Sequence, residues 1–101
     1  MRLKDWEVRT IRETAAEVFG PNVRVYLFGS RTDDSVRGGD IDLYVESDDP
    51  LEHEAKLSAR FEARLKRRLG DQKIDVVVWH AETRTAPIHE RARATGIELT
   101  A

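Results

Sequence analysis

Cysteine is absent from the 101-residue sequence. This absence excludes disulfides, zinc ribbons and thiol catalysis, and it suits a reducing compartment. Apolar runs are short as well: none approaches the ~20 residues that a membrane-spanning helix needs. No hydrophobic stretch follows the first residues to form a signal peptide. We therefore expect a cytoplasmic protein that does not enter a membrane.

Net charge is also small, because 17 lysines and arginines nearly balance 19 aspartates and glutamates to give −2. A chain-wide basic surface is excluded, so we do not expect direct binding to nucleic acid. The average hides an acidic block, since nine carboxylates and one arginine between Asp33 and Glu54 give this stretch a charge of −8. Such a block is either a solvated acidic surface or a site built around a cation.

Hydrophobic periodicity predicts a single α/β (α+β) domain over residues 1–101, in which helices flank a small mixed β-sheet. The predicted helices cover residues 4–19, 31–36, 50–69 and 87–95, and the predicted strands cover 23–28, 40–46, 73–79 and a tail at 97–99. We expect the third helix to start at Pro50, because Asp49 can cap it and Glu52 can make the reciprocal bond.

Two aspartates lie two positions apart on the second predicted strand. Asp40 and Asp42 therefore project from one face, with backbones about 6.6–6.8 Å apart. Carboxylates this close raise each other's pKa unless a cation lies between them, and Mg²⁺ is a cation that such oxygen ligands suit. Asp75 interrupts an apolar strand, where an unpaired carboxylate is costly. If the two strands are neighbours, the three carboxylates can hold the two metal ions of an in-line phosphoryl displacement.

A phosphate-binding element is predicted at the end of the first strand. Gly29 allows close approach of a ligand, and the backbone N–H groups and the Ser30 hydroxyl can hold phosphate oxygens. Arg31 is a further candidate for phosphate contact, with a solvent-facing arginine as the alternative. On the face that carries the aspartates, we expect Glu46 to be exposed and Tyr44 to pack rather than to stack on a nucleobase.

Together, Phe28-Gly-Ser-Arg31, Gly39-Asp-Ile-Asp-Leu43 and Lys73-Ile-Asp-Val-Val77 resemble motifs of the DNA polymerase beta nucleotidyltransferase superfamily. The resemblance is strongest to the minimal nucleotidyltransferase (MNT) family and covers nearly the whole chain. It implies a polymerase-beta-like nucleotidyltransferase fold with two Mg²⁺ ions. Two departures are the nine-residue spacing between Ser30 and Asp40, and Gly39 where serine often precedes the aspartate pair.

The same resemblance implies roles for individual residues. Gly29 and Ser30 would contact the triphosphate, Asp40 and Asp42 would bind metal, and Asp75 would bind metal and activate the attacking hydroxyl. In the implied reaction, that hydroxyl attacks the α-phosphorus of a nucleoside triphosphate and pyrophosphate leaves.

The family also implies a partner. MNT proteins are typically antitoxins of HEPN-domain RNase toxins, and a tyrosine of the toxin receives AMP from ATP. Because 101 residues leave no room for an acceptor domain, we expect the acceptor on such a toxin, bound as a hetero-oligomer. Two alternatives remain open: a catalytically quiet antitoxin that neutralises its toxin by binding, and a small-molecule nucleotidyltransferase.

Overall fold

The computed structural model of the protein describes residues 3–29, 40–70 and 72–100. These ranges form three helices and four strands: α1 (Asp5–Phe19), β1 (Arg24–Phe28), β2 (Ile41–Glu46), α2 (Glu54–Leu69), β3 (Ile74–Trp79), α3 (Pro87–Thr95) and β4 (Ile97–Glu98). No helix in the described ranges is long and apolar enough to cross a membrane. The short helix predicted over residues 31–36 lies outside the described residues.

The strands form one mixed sheet in the order β3-β2-β1-β4. Strand β1 runs antiparallel to both of its neighbours, whereas β2 and β3 are parallel and are connected through α2. The parallel register places Asp42 of β2 opposite Asp75 of β3. The condition set in the sequence analysis, that these two strands are neighbours, is therefore met.

One face of the sheet packs against α1 and α2 to form the hydrophobic core. Strand side chains alternate between faces. The residues that point to this face are buried, except that Val76 is partly buried: Val25, Leu27, Ile41, Leu43, Val45, Ile74, Val76 and Val78. Helix α1 adds Ile11 and Ala15 at helical spacing, and α2 adds Phe61 and Leu65. The rings of Phe19 and Phe61 meet edge to face at 5.3 Å, which joins the two helices.

The opposite face of the sheet is covered by α3. Tyr44 is fully buried on this face, and its ring lies 6.2 Å from that of His89. The prediction that Tyr44 packs is therefore confirmed. The end of α3 lies against β1, since a Cβ atom at Gly96 would come within 3.0 Å of the Tyr26 Cβ. Asp42, Tyr44 and Glu46 alternate with the core residues of β2, so they share the face on which α3 lies.

The predicted start of α2 is wrong. The helix begins at Glu54, after His53 at the N-cap position, rather than at Pro50. Local hydrogen bonds explain the difference, because the Ser47 hydroxyl donates to the Asp49 carbonyl (2.9 Å) and accepts from the Asp49 N–H (3.2 Å). These bonds hold Asp49 in a turn. His53 then adopts φ +57°, a left-handed conformation from which the helix starts.

Candidate active site

Two of the predicted site residues lie side by side at one end of the sheet. Asp42 and Asp75 are paired across the parallel strands β2 and β3, where neighbouring backbones are about 4.8 Å apart. Asp42 is partly buried and Asp75 is exposed. Both side chains line one pocket. The strand register therefore brings together two carboxylates that are 33 residues apart in the sequence.

Asp40 precedes β2 and has a different neighbour. Its Oδ2 atom lies 3.5 Å from the Nζ atom of Lys73, which precedes β3. The backbone follows the same pairing, since the Ile41 N–H donates to the Lys73 carbonyl at 3.0 Å. Over residues 3–29, 40–70 and 72–100, no three acidic or histidine side chains are gathered closely enough to hold a metal ion. The structure thus assembles the pair Asp42 and Asp75, with Asp40 in contact with a lysine.

The electrostatics of Asp42 are those of a carboxylate with too little positive charge around it. Burial raises the pKa of Asp42, and the nearby carboxylates of Asp75 and Asp40 raise it further. Lys73 acts in the opposite direction but does not cancel the increase. A hard divalent cation with oxygen ligands would relieve this repulsion, so the donor set suits Mg²⁺.

Gly29 lies immediately above Asp42, because Phe28 pairs with Asp42 across β1 and β2. The glycine has φ +78°, a conformation that other residues rarely adopt. A Cβ atom at this position would overlap the Asp42 carboxylate, with the Cγ atom only 3.1 Å away. A side chain at this position would therefore displace the Asp42 carboxylate. The predicted contact of Gly29 with phosphate stays a prediction. Ser30 and Arg31, the other predicted phosphate contacts, lie outside the described residues.

The pocket over the aspartates has a volume of about 460 Å³, within the ordinary range for small-molecule sites. Its sheet side contains Phe28, Gly29, Asp42, Asp75 and Val77. Its other side is formed by Ile88, Arg91 and Thr95 of α3. Sequence reasoning missed these three residues, although their spacing of three and four positions puts them on one helical face.

A second group of charges lies on the same sheet face, four residues along β2 from Asp42. Glu46 is 8% exposed, so the prediction that it is solvated is wrong. Its carboxylate accepts hydrogen bonds from Arg24, from the Nε atom of Arg93 (2.9 Å) and from the Tyr44 hydroxyl (2.7 Å). Asp48 accepts two further bonds from Arg24, at 2.9 and 3.1 Å.

These contacts lower the pKa of Glu46, whereas the surroundings of Asp42 raise its pKa. Burial works against ionisation of Glu46, but its hydrogen bonds from Arg24, Tyr44 and Arg93 keep the pKa below that of an ordinary glutamate. Burial and the bond to Glu46 raise the pKa of Tyr44 to about 12. The group is therefore a closed ion-pair network, with each carboxylate matched by a guanidinium.

A larger cavity of about 590 Å³ lies between α1 and the start of β1. Its lining includes Arg9, Arg12, Asn22 and Glu98. Because Asn22 precedes β1 and Asp42 pairs with the last residue of that strand, this cavity lies at the other end of β1 from the aspartate pair. We therefore place the candidate active site in the smaller pocket.

Comparison with known proteins identifies a matching family and a similar structure. The family model "Polymerase beta, Nucleotidyltransferase" matches residues 10–100. The chain is similar to a crystal structure of the toxin–antitoxin MntA–HpeT, in a mutant with two aspartates two positions apart changed to glutamate. The TM-score is 0.69 at 20% identity, over 91% of this chain and 70% of that chain. No curated protein matches. The predicted fold, a small mixed sheet flanked by helices as in polymerase beta, is confirmed.

Proposed function

The chain belongs to the polymerase beta nucleotidyltransferase family, and we propose that it transfers a nucleotide from a nucleoside triphosphate to a hydroxyl group at the pocket over Asp42 and Asp75. The family generally uses a divalent metal ion together with the triphosphate. The observation that carries the proposal is the pairing of these two carboxylates in one pocket, beside a glycine whose Cβ atom would overlap the Asp42 carboxylate.

The catalytic residues in this proposal are Asp40, Asp42 and Asp75. Their carboxylate oxygens would hold two Mg²⁺ ions, with Asp40 exchanging its contact with Lys73 for metal. When bound, such ions offset the charge of the phosphates and stabilise the attacking and leaving oxygens. The backbone at Gly29, the Ser30 hydroxyl and Arg31 would orient the triphosphate from the end of β1.

The proposed reaction is a single displacement. The acceptor oxygen forms a bond to the α-phosphorus while the bond from the α-phosphorus to the bridging oxygen breaks, and pyrophosphate leaves with that electron pair. The acceptor proton passes to a carboxylate oxygen of Asp75, which is exposed and can be reached from solvent. In such transfers, positioning and charge neutralisation supply most of the rate enhancement.

For the biological acceptor, we propose a toxin protein. The similar structure is of a toxin–antitoxin, and its mutated aspartates have the same spacing as Asp40 and Asp42. The exposure of Asp75 supports an acceptor side chain that arrives on another macromolecule. The full proposal is an antitoxin that transfers AMP from ATP to a tyrosine of a HEPN-domain toxin, with which it forms a cytoplasmic hetero-oligomer.

The experiment is co-incubation of the protein with the product of its neighbouring gene, Mg²⁺ and ATP labelled at the α-phosphate. We expect label on the partner with wild type and with the matched control Asp48→Asn, and none with Asp42→Asn. An unlabelled partner with wild type, or full labelling with Asp42→Asn, contradicts the proposal. If the double variant Asp40→Asn, Asp42→Asn still neutralises the toxin in cells, neutralisation works by binding and not by transfer.

A further inference from the structure

Helix α3 supplies one charged residue to the pocket, Arg91. Ile88, Arg91 and Thr95 form the helix side of the pocket, and Asp42 and Asp75 lie on the sheet side. Arg91 is exposed, and its guanidinium makes no hydrogen bond or ion pair with any residue that the structure describes. Its backbone carbonyl accepts a hydrogen bond from the Thr95 hydroxyl at 2.7 Å. Opposite charges therefore line the same pocket without touching, and the space between them is available to a ligand.

The pairing of the other arginines on this sheet face makes Arg91 distinctive. Arg24 and Arg93 are both bonded to Glu46. The Arg91 guanidinium shares its pocket with two carboxylates. If a metal cation binds to these carboxylates, an anion that binds to the metal can also contact the guanidinium. Arginine suits phosphate in particular, since its planar donors can form two parallel hydrogen bonds with phosphate oxygens.

We propose that Arg91 binds the phosphate groups of the nucleotide from the helix side of the pocket, opposite the aspartates. The inference rests on the proposed function, because it takes a nucleoside triphosphate as the ligand. It adds a binding residue that the sequence motifs do not contain. The pocket of about 460 Å³ is large enough for a ligand to reach both sides.

Contacts on the opposite side of α3 hold the helix, and with it the backbone of Arg91, against the sheet. Arg93 donates to Glu46 at 2.9 Å and to the Tyr44 hydroxyl at 3.1 Å, and its guanidinium lies 5.2 Å from the Trp79 ring. At the start of the helix, the His89 Nδ1 atom accepts the Ala86 N–H at 2.9 Å. Because the helix is fixed to the sheet before any ligand arrives, less conformational freedom is lost when Arg91 makes its contact.

The test measures nucleotide affinity in the presence of Mg²⁺, independently of turnover. A fluorescent ATP analogue is displaced by ATP, by inorganic tripolyphosphate or by adenosine. The variants are Arg91→Gln, Arg91→Lys and, as the matched control, Arg67→Gln, which changes an exposed arginine of α2. We expect Arg91→Gln to weaken ATP and tripolyphosphate about tenfold, as for one lost charged hydrogen bond. Adenosine binding should not change.

The other variants separate charge from geometry. Arg91→Lys should recover part of the affinity, because it keeps the charge but loses the paired donors, and Arg67→Gln should bind as wild type does. Wild-type ATP affinity in Arg91→Gln overturns the inference and leaves the proposed function standing. Equal weakening of adenosine and tripolyphosphate also overturns it, since that result indicates a structural role. A wild-type protein that does not bind ATP contradicts the proposed function itself.

Discussion

Two acidic groups on the same face of β2 differ in how their charge is neutralised. At one end of the strand, Asp42 pairs with Asp75, and burial and neighbouring carboxylates raise its pKa. At the other end, Glu46 accepts bonds from two arginines and a tyrosine, and its pKa is lowered. The two positions are four residues apart and have the same chemistry, so their surroundings make the difference.

The comparison shows how a site can be told apart from a structural network. Carboxylates that are paired with arginines already have their charge offset, so a cation has less to gain by binding them, and we expect them to stabilise the fold. Carboxylates that repel one another cost stability unless a cation binds, and such sites are candidates for function. The acidic block that stands out in the sequence therefore contains residues of both kinds.

The largest expected effect is on catalysis at the end of β2 that carries Asp42, where the neighbouring carboxylates repel one another. We expect Asp42→Asn or Asp75→Asn to lower nucleotide transfer by at least about 100-fold, because each removes charge that the transition state needs. Asp48→Asn makes the same chemical change at a carboxylate that is paired with Arg24, and it should retain most of the activity. Initial rates with α-labelled ATP measure all three. Similar losses in Asp42→Asn and Asp48→Asn would remove the distinction between the two groups.

The next largest effect is on stability at the other end of β2, where Arg24 and Arg93 bind Glu46. Glu46→Gln should lower the free energy of unfolding by about 2 kcal/mol, because it leaves two partly exposed arginines short of a partner. Since the pKa of Glu46 is lowered in the folded state, its stabilisation is present above the ordinary glutamate pKa. It is lost as the pH falls through the lowered value.

Urea unfolding over a pH series measures this effect. The gap between wild type and Glu46→Gln should be largest near neutral pH and should shrink in acid. An unchanged unfolding midpoint at pH 7 would show that the network does not stabilise the fold.

Alanine variants at two glycines distinguish the effect of backbone strain from the effect of steric obstruction at the site. Gly29 and Gly70 both have positive φ, +78° and +97°. A Cβ atom at Gly70 would meet no atom within 4 Å, whereas one at Gly29 would overlap the Asp42 carboxylate. Gly29→Ala and Gly70→Ala should each cost about 1–2 kcal/mol of stability, but Gly29→Ala alone should also impair transfer and metal binding. Equal activity in the two variants at a temperature where both are folded would contradict this account of Gly29.

The smallest expected effect is a gain in stability. With chelator present, Asp42→Asn should unfold at higher urea than wild type at pH 7, by about 1 kcal/mol. The raised pKa of Asp42 means that the folded protein binds this proton more tightly than the unfolded chain. Wild type therefore loses stability as the pH rises from the ordinary aspartate pKa through the raised one.

The gain should disappear in acid, where the Asp42 carboxyl is protonated in both folded and unfolded protein. Urea midpoints for the two proteins at several pH values test the sign. A variant less stable than wild type at neutral pH would show that Asp42 is matched by a cation after all.

Local pattern was enough to predict strands β1, β2 and β3 and to place each aspartate on its strand, but it left open whether β2 and β3 are neighbours. Alternation along β2 and β3 is a property of short segments, so the common face of Asp42 and Asp75 followed once the strands were taken as neighbours. The burial of Glu46 could not be predicted in this way, because Arg93 lies 47 residues further along the chain. Only the packing of α3 on the sheet brings the two together.

Two other features could not be predicted from sequence pattern, because one depends on competing local hydrogen bonds and the other on the packing of distant parts of the chain. The start of α2 was misplaced because the Ser47 hydroxyl holds Asp49 in a turn that a capping motif does not reveal. The helix side of the pocket was missed because only the packing of α3 on the sheet brings Arg91 to the pocket that Asp42 and Asp75 line. The roles of all the predicted site residues remain predictions: Gly29, Ser30, Arg31, Asp40, Asp42 and Asp75.

The most direct test of the central claim is metal binding at the two acidic groups. Free Mn²⁺, a spectroscopic substitute for Mg²⁺, is titrated against wild type, Asp42→Asn and Asp48→Asn and is followed by its electron paramagnetic resonance signal. We expect wild type and Asp48→Asn to bind the ion equally and Asp42→Asn to bind it at least about tenfold more weakly, since one charged ligand is lost. Equal binding by all three proteins would contradict the assignment of the aspartate pair as the metal-binding, catalytic end of the sheet.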